Sequence, residues 1–152
     1  MTNKIIGIQG DKLDKINISS DTSIFLAHEA QKLGYKIFYY TPSNLSIIKN
    51  KTYANGVFVK FNYERKKFYK IYKKQKIDVE NLKFILIRQD PPFNSEYLIT
   101  TLILDDLKKT RVINNPVAIR NVSEKLYSKK FTKYMPDTIF SNNIEEVKKF
   151  YK

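Results

Sequence analysis

The first forty residues carry the pattern that most restricts the fold. The run KIIGIQ, residues 4–9, is short and apolar, as expected of a buried strand. Asp21 then precedes a helical pattern that ends at Gly34, a residue typical of helix C-termini. The run YKIFYY at 35–40 is rich in residues that favour strands. Two strands joined by a helix form a βαβ unit, so we predict a parallel sheet at this point.

The helix in that unit has an apolar stripe that predicts which side it buries. Leu26, Ala30 and Leu33 recur on one face between residues 22 and 33. The single histidine, His28, lies away from that stripe, so we predict that its side chain is exposed to solvent. The chain has no cysteine, which excludes disulfides, zinc fingers and thiolate catalysis, and one histidine cannot build a metal site alone.

An antiparallel excursion interrupts the α/β pattern between residues 45 and 80. Three runs, LSIIKN, KTYANG and VFVKFNYE, are typical of strands separated by turns at Asn and Gly. After them, FILIR at 84–88 lacks alternation, which favours a strand covered on both faces. A helical pattern at 95–109 and a short strand pattern at 111–114 follow. The apolar stripe of that helix consists of Ile99, Leu102, Ile103 and Leu107.

The C-terminal residues continue the alternation of helical and strand patterns up to the last residue. Residues 117–134 are typical of a helix, and 136–141 are a strand candidate. The final helical pattern begins with Asn142 and Glu145 in the spacing of a capping box. Because that pattern runs to the last residue, we expect the last thirty residues to be the opening of a further domain, cut short.

The charge and hydrophobicity of the chain limit the kinds of molecule that it is expected to bind. The formal net charge of +13, carried mostly by lysine, predicts either an anionic partner or a biased composition. The cluster RKKFYKIYKKQK at 65–76 could bind nucleic acid, but such residues more often form an exposed β face, so a nucleic-acid partner is not expected. The chain has no signal-peptide pattern and no apolar run long enough to span a membrane, so we expect a cytoplasmic protein without membrane contact.

The segment RQDPPF places charged residues where a ligand would bind. Arg88 and Asp90 come at the carboxyl end of a predicted parallel strand, the edge at which open α/β sheets bind ligands. Arginine offers a planar charged fork for a carboxylate or phosphate, and Pro91 and Pro92 stiffen the turn behind it. The alternative, an Arg88–Asp90 ion pair that only ties the loop down with Asp90 as a helix cap, stays open. The Asp90–Pro91 bond could be cis.

Two further stretches hold candidate binding residues. In INISSD, Ser19, Ser20 and Asp21 precede a helix N-terminus and could hold the anionic end of a ligand, although plain helix capping is the preferred interpretation. In RNVSEKLYSKKF, Lys125 could meet a nucleotide phosphate or could be one surface lysine among many. The run GIQG lacks the pattern of a phosphate-binding loop, and no Ser-His-Asp, Cys-His or metal-ligand set is available.

Three longer stretches give the chain a family resemblance. They are INISSDTSIFLAHEAQKLGYKIFYY, ILIRQDPPFNSEYLITTLILDDL and VINNPVAIRNVSEKLYSKKF. Their order and spacing resemble the N-terminal part of bacterial glutathione synthetase, whose typical strings are close to DSSFAMLLEAQ, RKDPPFD and NEKL. The resemblance covers essentially the whole chain. It departs at three positions: Gln89 stands where lysine is usual, Asn94 where aspartate is usual, and Ser123 where asparagine is usual.

The resemblance implies an ATP-grasp ligase. Such an enzyme uses ATP and Mg²⁺ to convert the cysteinyl carboxylate of γ-glutamylcysteine into an acyl phosphate, which glycine then attacks to give glutathione. It further implies a Rossmann-like pre-ATP-grasp domain at 1–122, which takes part in a homo-oligomer, and the start of the ATP-grasp domain at 123–152. Lys125 matches a family lysine that contacts ATP, and Arg88 is expected to face the dipeptide.

By the same resemblance, the Mg²⁺ ligands and most substrate contacts lie beyond residue 152. We therefore expect this chain to hold no catalytic residue and to be inactive alone. The candidate site residues are Arg88, Asp90, Ser19 and Ser20 for substrate and Lys125 for ATP. Two other interpretations stay open: a basic α/β nucleic-acid-binding module, and a non-catalytic oligomerisation domain whose site has decayed at Gln89 and Asn94.

Overall fold

A seven-stranded mixed sheet organises the part of the chain that this computed structural model describes, residues 4–63, 67–123 and 125–151. The strands are β1 Ile5–Gln9, β2 Lys36–Tyr40, β3 Leu45–Ile48, β4 Lys51–Phe61, β5 Tyr69–Asp78, β6 Phe84–Ile87 and β7 Arg111–Ile113. The α-helices are α1 Thr22–Lys32, α2 Ser95–Asp105, α3 Pro116–Asn121 and α4 Ile144–Tyr151. Within these ranges no helix combines the length and the apolar character needed to cross a membrane.

The parallel half of the sheet is built around β1. This strand pairs in parallel with β2, in a register that runs from Ile5 opposite Lys36 to Gln9 opposite Tyr40, and with β6 on its other side. β6 in turn pairs in parallel with β7. The other pairs, β2 with β4, β3 with β4 and β4 with β5, are antiparallel. The predicted βαβ unit, and the predicted α/β class with a parallel sheet and an antiparallel excursion, are therefore confirmed.

Alternation along these strands gives the sheet two apolar faces. Ile6 and Ile8 of β1 point to the face covered by α1, where they belong to the same core cluster as Ile24. The opposite face carries a second core cluster that includes Phe38 of β2 and Leu104 of α2. Because helices cover both faces, β6 consists of apolar residues throughout, as its sequence without alternation predicted.

Helix α1 turns a different side to the sheet from the one that its apolar stripe predicted. It buries Ser23, Ile24 and Ala27, whereas Leu26 is 46% and Leu33 is 70% exposed. Ala30 packs against the core as predicted, but the prediction was wrong for the two leucines because it counted apolar residues only. The side that packs includes polar residues whose partners lie far away in the sequence.

Hydrogen bonds near the C-terminal end of α1 account for this orientation. The Gln31 side chain exchanges two hydrogen bonds with the backbone of Phe61: its Nε2 donates to the carbonyl oxygen and its Oε1 accepts from the N–H, each at 2.8 Å. His28 is half-buried rather than solvent-exposed as predicted, and its Nδ1 lies 3.3 Å from the same carbonyl oxygen. Positions 24, 27, 28 and 31 share one helical face, so these contacts set the side that meets the sheet.

Helix α2 also buries polar residues in place of part of its predicted stripe. Thr100 and Thr101 are buried beside Leu104, while Ile99 is 54% and Leu102 is 52% exposed. Each threonine hydroxyl donates to the backbone carbonyl three residues earlier, at 2.9 and 2.7 Å. The polar group of each threonine is therefore satisfied within the helix, which allows the side chain to be buried.

The Asn55-Gly56 pair lies inside a strand rather than in the turn that its sequence predicted. β4 runs through it without a break. A Cβ atom on the glycine would lie 2.5 Å from the Tyr39 carbonyl oxygen and 2.6 Å from the Phe38 ring, so the close approach of β4 to β2 requires glycine here. The turn lies instead at Lys49-Asn50, where both residues have the positive φ that two-residue hairpin loops favour.

The partly buried carboxylate of Glu80 joins the segment before β6 to the segment before β7. The Glu80 side chain accepts hydrogen bonds from the backbone N–H groups of Lys108, Lys109 and Thr110, at 2.7, 2.9 and 2.9 Å. The Thr110 hydroxyl lies 2.8 Å from the Val79 carbonyl oxygen. Burial alone would raise the pKa of Glu80, but the three backbone hydrogen bonds and the Lys109 charge outweigh it and lower that pKa.

Replacing Glu80 with Gln should lower the free energy of unfolding by about 2 kcal/mol near neutral pH, because a charged acceptor of three N–H groups becomes a neutral one. Because the pKa of Glu80 is lowered by folding, the ionised side chain adds to the free energy of unfolding at pH values above its unfolded-state pKa, about 4.3. That contribution is lost as pH falls through the folded-state pKa. Urea unfolding at several pH values should show the difference between the two proteins shrinking as pH falls.

Asp106→Asn serves as the control for that measurement. Asp106 forms an exposed ion pair with Lys108 at 3.4 Å, so its loss should change the unfolding free energy by no more than about 0.5 kcal/mol. A Glu80→Gln difference that stays constant down to acid pH would contradict the role of the ionised carboxylate.

The residues after α3 depart most from the sequence pattern. The helix predicted over 117–134 breaks after Asn121 and resumes as a 3₁₀ helix, Leu126–Tyr134, and residues 136–141 form no strand. The helix predicted at the end of the chain is confirmed as α4, although Asn143 rather than Asn142 accepts from an N–H of its first turn. Ile119 packs against a core cluster and Arg120 pairs with Asp105, but none of the described residues from 122 onward is buried, so tertiary packing does little there to favour one continuous helix over a broken one.

Candidate ligand-binding site

The carboxyl ends of β1 and β6 and the N-terminus of α1 meet at one edge of the sheet. A cavity of about 210 Å³ lies between them. Its lining includes Asp11 and Lys15 from the loop after β1, Ser20 from the loop before α1, and Arg88 and Asp90 from the segment after β6. The structure therefore brings together three of the five sequence-predicted site residues, at the edge where ligands bind to open α/β sheets.

The Arg88 guanidinium is fixed by hydroxyl groups rather than by a carboxylate. Alternation along β6 places Arg88 on the α1 face of the sheet. Its Nε donates to Ser23 Oγ at 2.9 Å and its Nη2 to Thr22 Oγ1 at 2.6 Å, while its backbone N–H donates to the Gln9 carbonyl at 2.7 Å. Among the residues described, Arg88 has no ion-pair partner. Its charge is held in place and is not neutralised, as an anion-binding group requires.

Asp90 is exposed, and the alternative role as a structural cap is wrong. The N-cap of α2 is Asn94, whose side chain accepts from the Tyr97 N–H at 3.0 Å. Asp90 forms no ion pair with Arg88. Its backbone N–H donates to Asp11 Oδ2 at 2.9 Å, which joins the segment after β6 to the loop after β1. The Asp90–Pro91 bond is trans, and the cis bond lies one residue later, between the two prolines.

The loop before α1 is organised by Asn17 and closed by a helix cap. Asn17 Oδ1 accepts from both the N–H and the hydroxyl of Ser19, at 3.1 and 2.7 Å. The Asp21 side chain accepts from the N–H groups of Ser23 and Ile24, at 2.6 and 3.2 Å, so the preferred interpretation of helix capping is confirmed. Ser20 lines the cavity and Ser19 does not. A ligand contact by either serine stays a prediction.

The cavity carries charges of both signs. Asp11, Asp21 and Asp90 contribute carboxylates, and Lys15 and Arg88 contribute cations. A purely anionic ligand would be repelled by the carboxylates, and a purely cationic one by the arginine and lysine. The arrangement instead suits a small zwitterion that presents an ammonium and a carboxylate together.

The segment that follows β6 is also held by a contact on the opposite face of the sheet. Gln9 at the end of β1 is completely buried, and its Nε2 donates to Oε1 of the buried Gln89 at 2.5 Å. Arg88 is thus tied to α1 on one face, and its neighbour Gln89 is tied to β1 on the other. Sequence reasoning missed Gln9, although a glutamine that ends an apolar strand pattern is a signal of a buried polar contact.

Tyr39 supports the loop after β1. Its hydroxyl donates to the Asp11 carbonyl oxygen at 2.6 Å, and Gly10 leaves room for it, because a Cβ at that position would collide with the hydroxyl. Burial first, and then the nearby carboxylates of Asp11, Asp21 and Asp90, raise the pKa of Tyr39. The phenol therefore stays protonated and keeps its donor role. Nothing in the sequence pattern distinguished this tyrosine from its neighbours.

Lys125, predicted to contact ATP, is not brought to this cavity. It is exposed and precedes the 3₁₀ helix at 126–134. Within the three described ranges, no group of three or more His, Cys, Asp or Glu residues could hold a metal ion.

Comparison with known protein families shows which family the chain belongs to. A family model described as prokaryotic glutathione synthetase, N-terminal domain, matches residues 5–120. The chain belongs to the prokaryotic glutathione synthetase family. The matched range includes every strand of the sheet and helices α1 and α2, and the resemblance predicted from the RQDPPF and neighbouring strings is confirmed.

Curated glutathione synthetases match across nearly the whole chain. The chain is 36% identical to that of Mesorhizobium japonicum over 97% of its own length and 47% of the relative. It is 34% identical to that of Buchnera aphidicola subsp. Acyrthosiphon pisum, over 96% and 46% of the two chains. It is also 34% identical to that of Salmonella typhimurium, over 96% and 47%. The chain thus spans about half the length of these glutathione synthetases.

Replacing Gln89 with Met should lower the free energy of unfolding by about 1–3 kcal/mol, because the buried Gln9 amide loses its partner. The double variant Gln9→Met/Gln89→Met should recover part of that loss, since both polar groups leave the interior together. Urea unfolding of the wild type, both single variants and the double variant gives the coupling energy. Additive losses in the double variant would show that the two side chains do not stabilise one another.

Proposed function

We propose that this chain is the N-terminal part of a glutathione synthetase that joins γ-glutamylcysteine and glycine, with ATP hydrolysis, through an acyl phosphate. The observation that carries the proposal is the match to the family's N-terminal domain over residues 5–120. The guanidinium of Arg88, held at the ligand edge of the sheet with its charge unpaired among the described residues, supports it. Formation of an acyl phosphate would make the cysteinyl carboxylate reactive toward the glycine amine.

We assign the cavity at the sheet edge to the glutamyl end of the dipeptide. In γ-glutamylcysteine the glutamyl residue is linked through its side chain, so its α-ammonium and α-carboxylate are both free. Arg88 and Lys15 would bind the carboxylate, and Asp11 and Asp90 would bind the ammonium. This assignment uses every charge that faces the cavity except the Asp21 carboxylate, which caps α1.

The two serines of the loop before α1 would contribute hydroxyl contacts to the same ligand. Ser20 lines the cavity, and Ser19 is held beside it through Asn17. Their hydroxyls are uncharged, so they would orient the dipeptide and add little to the electrostatic attraction.

ATP would be contacted from this chain by Lys125, which is exposed. The described residues assemble no carboxylate cluster for Mg²⁺, so no step through the metal is assigned to them. We propose a domain boundary near residue 122, with a pre-ATP-grasp domain at 1–122 and the beginning of the ATP-grasp domain at 123–152. Ile119 packs against a core cluster and Arg120 pairs with Asp105, whereas none of the described residues from 122 onward is buried, which supports this boundary.

The nucleic-acid alternative finds little support in the sheet. The register of β5 against β4 places Lys73 opposite Phe58 and Lys74 opposite Val57, so the two lysines point to opposite faces. Among the described residues of the basic cluster, 67–76, the lysines are therefore divided between the two faces, and Arg65 and Lys66 lie outside the described residues. Lysines on a strand that pairs on one side only are also expected for a simpler reason, because they prevent edge-to-edge association of sheets.

We also propose a homo-oligomer whose contact includes the exposed apolar side chains of α2, Ile99 and Leu102. Introducing lysine at both positions should shift the full-length gene product toward the monomer in sedimentation equilibrium. An unchanged mass would place the contact elsewhere or show that the wild type is already monomeric.

The function is tested by assaying the full-length gene product for ADP formation with γ-glutamylcysteine, with and without glycine. We expect glycine-dependent turnover, and none from the 152-residue chain alone. Arg88→Met should raise the KM for the dipeptide at least about tenfold, because a charge-assisted contact is lost, and should leave the KM for ATP nearly unchanged. Lys125→Ala should raise the KM for ATP instead.

Arg111→Met is the matched control, since Arg111 is an exposed arginine at the start of a strand, on the opposite edge of the sheet. It should change neither constant. Lack of glycine-dependent turnover would overturn the ligase proposal. Turnover with an unchanged dipeptide KM in Arg88→Met would keep the ligase and overturn the assignment of the cavity.

A further inference from the structure

A second cavity lies beside the candidate dipeptide site and shares no lining residue with it. It has a volume of about 650 Å³, within the range of small-molecule pockets. It is bounded by the carboxyl end of β2, by the loop after β1 and by the β4–β5 hairpin. None of the five residues predicted from the sequence to contact substrate or ATP lines it, although Lys74 and Lys76 belong to the basic cluster at 65–76.

The floor of this cavity is apolar and incompletely covered. Val57 of β4 and Ile71 of β5 lie on the α1 face of the sheet, beside the ring of Tyr39 and the side chain of Leu13. Ile71 is 40% exposed although it is aliphatic, so apolar surface faces water at the cavity floor. A ligand with an apolar body would remove that surface from water, which is favourable.

The rim of the cavity is predominantly cationic. Lys74 stands opposite Val57 in the β4–β5 ladder and shares its face, and Lys12 approaches from the loop after β1. The Lys76 ammonium lies 5.0 Å from the centroid of the Tyr53 ring, which positions the charge without neutralising it. Asp14 contributes the one carboxylate of the lining, and the three lysines have no ion-pair partner in the described part of the chain.

We propose that this cavity binds a small amphipathic organic anion, with a flat apolar body against Ile71 and Val57 and an acidic group facing Lys74 and Lys12. Neither half of the site suffices alone. Inorganic anions would find the cations but would leave the apolar floor uncovered, and a neutral aromatic molecule would cover the floor but would leave the lysines without a partner. The site is separate from the dipeptide cavity, so it does not depend on the proposed ligase activity.

Isothermal titration of the 152-residue chain with 2-naphthoate tests the proposal. We expect saturable binding of one molecule per chain, weaker binding of the uncharged 2-naphthamide, and no competition by equimolar sulfate. Lys74→Glu should weaken naphthoate binding at least about tenfold, because reversing a charge near the acidic group replaces attraction by repulsion.

Lys73→Glu is the matched control, because it makes the same charge change one residue away on the opposite face of β5. It should change the affinity by less than about twofold, since the charge is farther from the ligand and screened by water. Urea unfolding of both variants verifies that they are folded. The proposal is overturned if folded wild-type protein shows no saturable binding, if both variants lose affinity equally, or if 2-naphthamide binds as tightly as 2-naphthoate.

Discussion

Parallel pairing of β1 with β2 on one side and with β6 on the other brings three strand ends to the same edge of the sheet. The ladder continues beyond the strands, because the Gly10 N–H donates to the Tyr40 carbonyl at 3.1 Å and the Arg88 N–H donates to the Gln9 carbonyl at 2.7 Å. These bonds fix the backbone at the residues that line the candidate site. A shift of the register by one residue would send the Arg88 side chain to the other face of the sheet.

Alternation then distributes the polar side chains of this edge between the two faces. Arg88 meets hydroxyl groups of α1 on one face, and Gln89 meets the buried Gln9 on the other. Tyr39 points to the α1 face, where its hydroxyl holds the backbone of Asp11. Each contact satisfies a polar group that burial would otherwise penalise, and each restrains a segment that lines a cavity. The stability of the sheet and the shape of the candidate site therefore depend on the same hydrogen bonds at this edge.

The end of the sheet where β6 and β7 begin is stabilised by hydrogen bonds between side chains and the backbone. Glu80 binds three backbone N–H groups that lead into β7, and the Thr110 hydroxyl contacts the backbone of Val79. Glu80 lies where β6 and β7 begin, whereas the candidate site lies where β1 and β6 end. The Glu80 carboxylate therefore does not face a ligand bound at the candidate site. Changes at Glu80 can thus alter the stability of the sheet without touching the site.

The sequence by itself determined the βαβ unit, the antiparallel excursion, the placement of Arg88 and Asp90 at the ligand edge, and the family. These features follow from local signals, namely short apolar runs, helix caps and an RQDPPF string, that are read along a few neighbouring residues. Sequence alone did not show which residues of the long C-terminal segment would be helical. None of the described residues from 122 onward is buried, and helix propensity alone decides the outcome only weakly.

The tertiary structure decided which sides of α1 and α2 are buried, why a glycine stands inside β4, and which groups hold Arg88. Each of these depends on residues far apart in the chain: Gln31 binds the backbone of Phe61, the glycine at 56 makes room for Tyr39, and Arg88 binds Ser23. Apolar periodicity cannot predict such contacts, because a buried polar residue is stabilised by a partner that only the folded chain brings within hydrogen-bond distance.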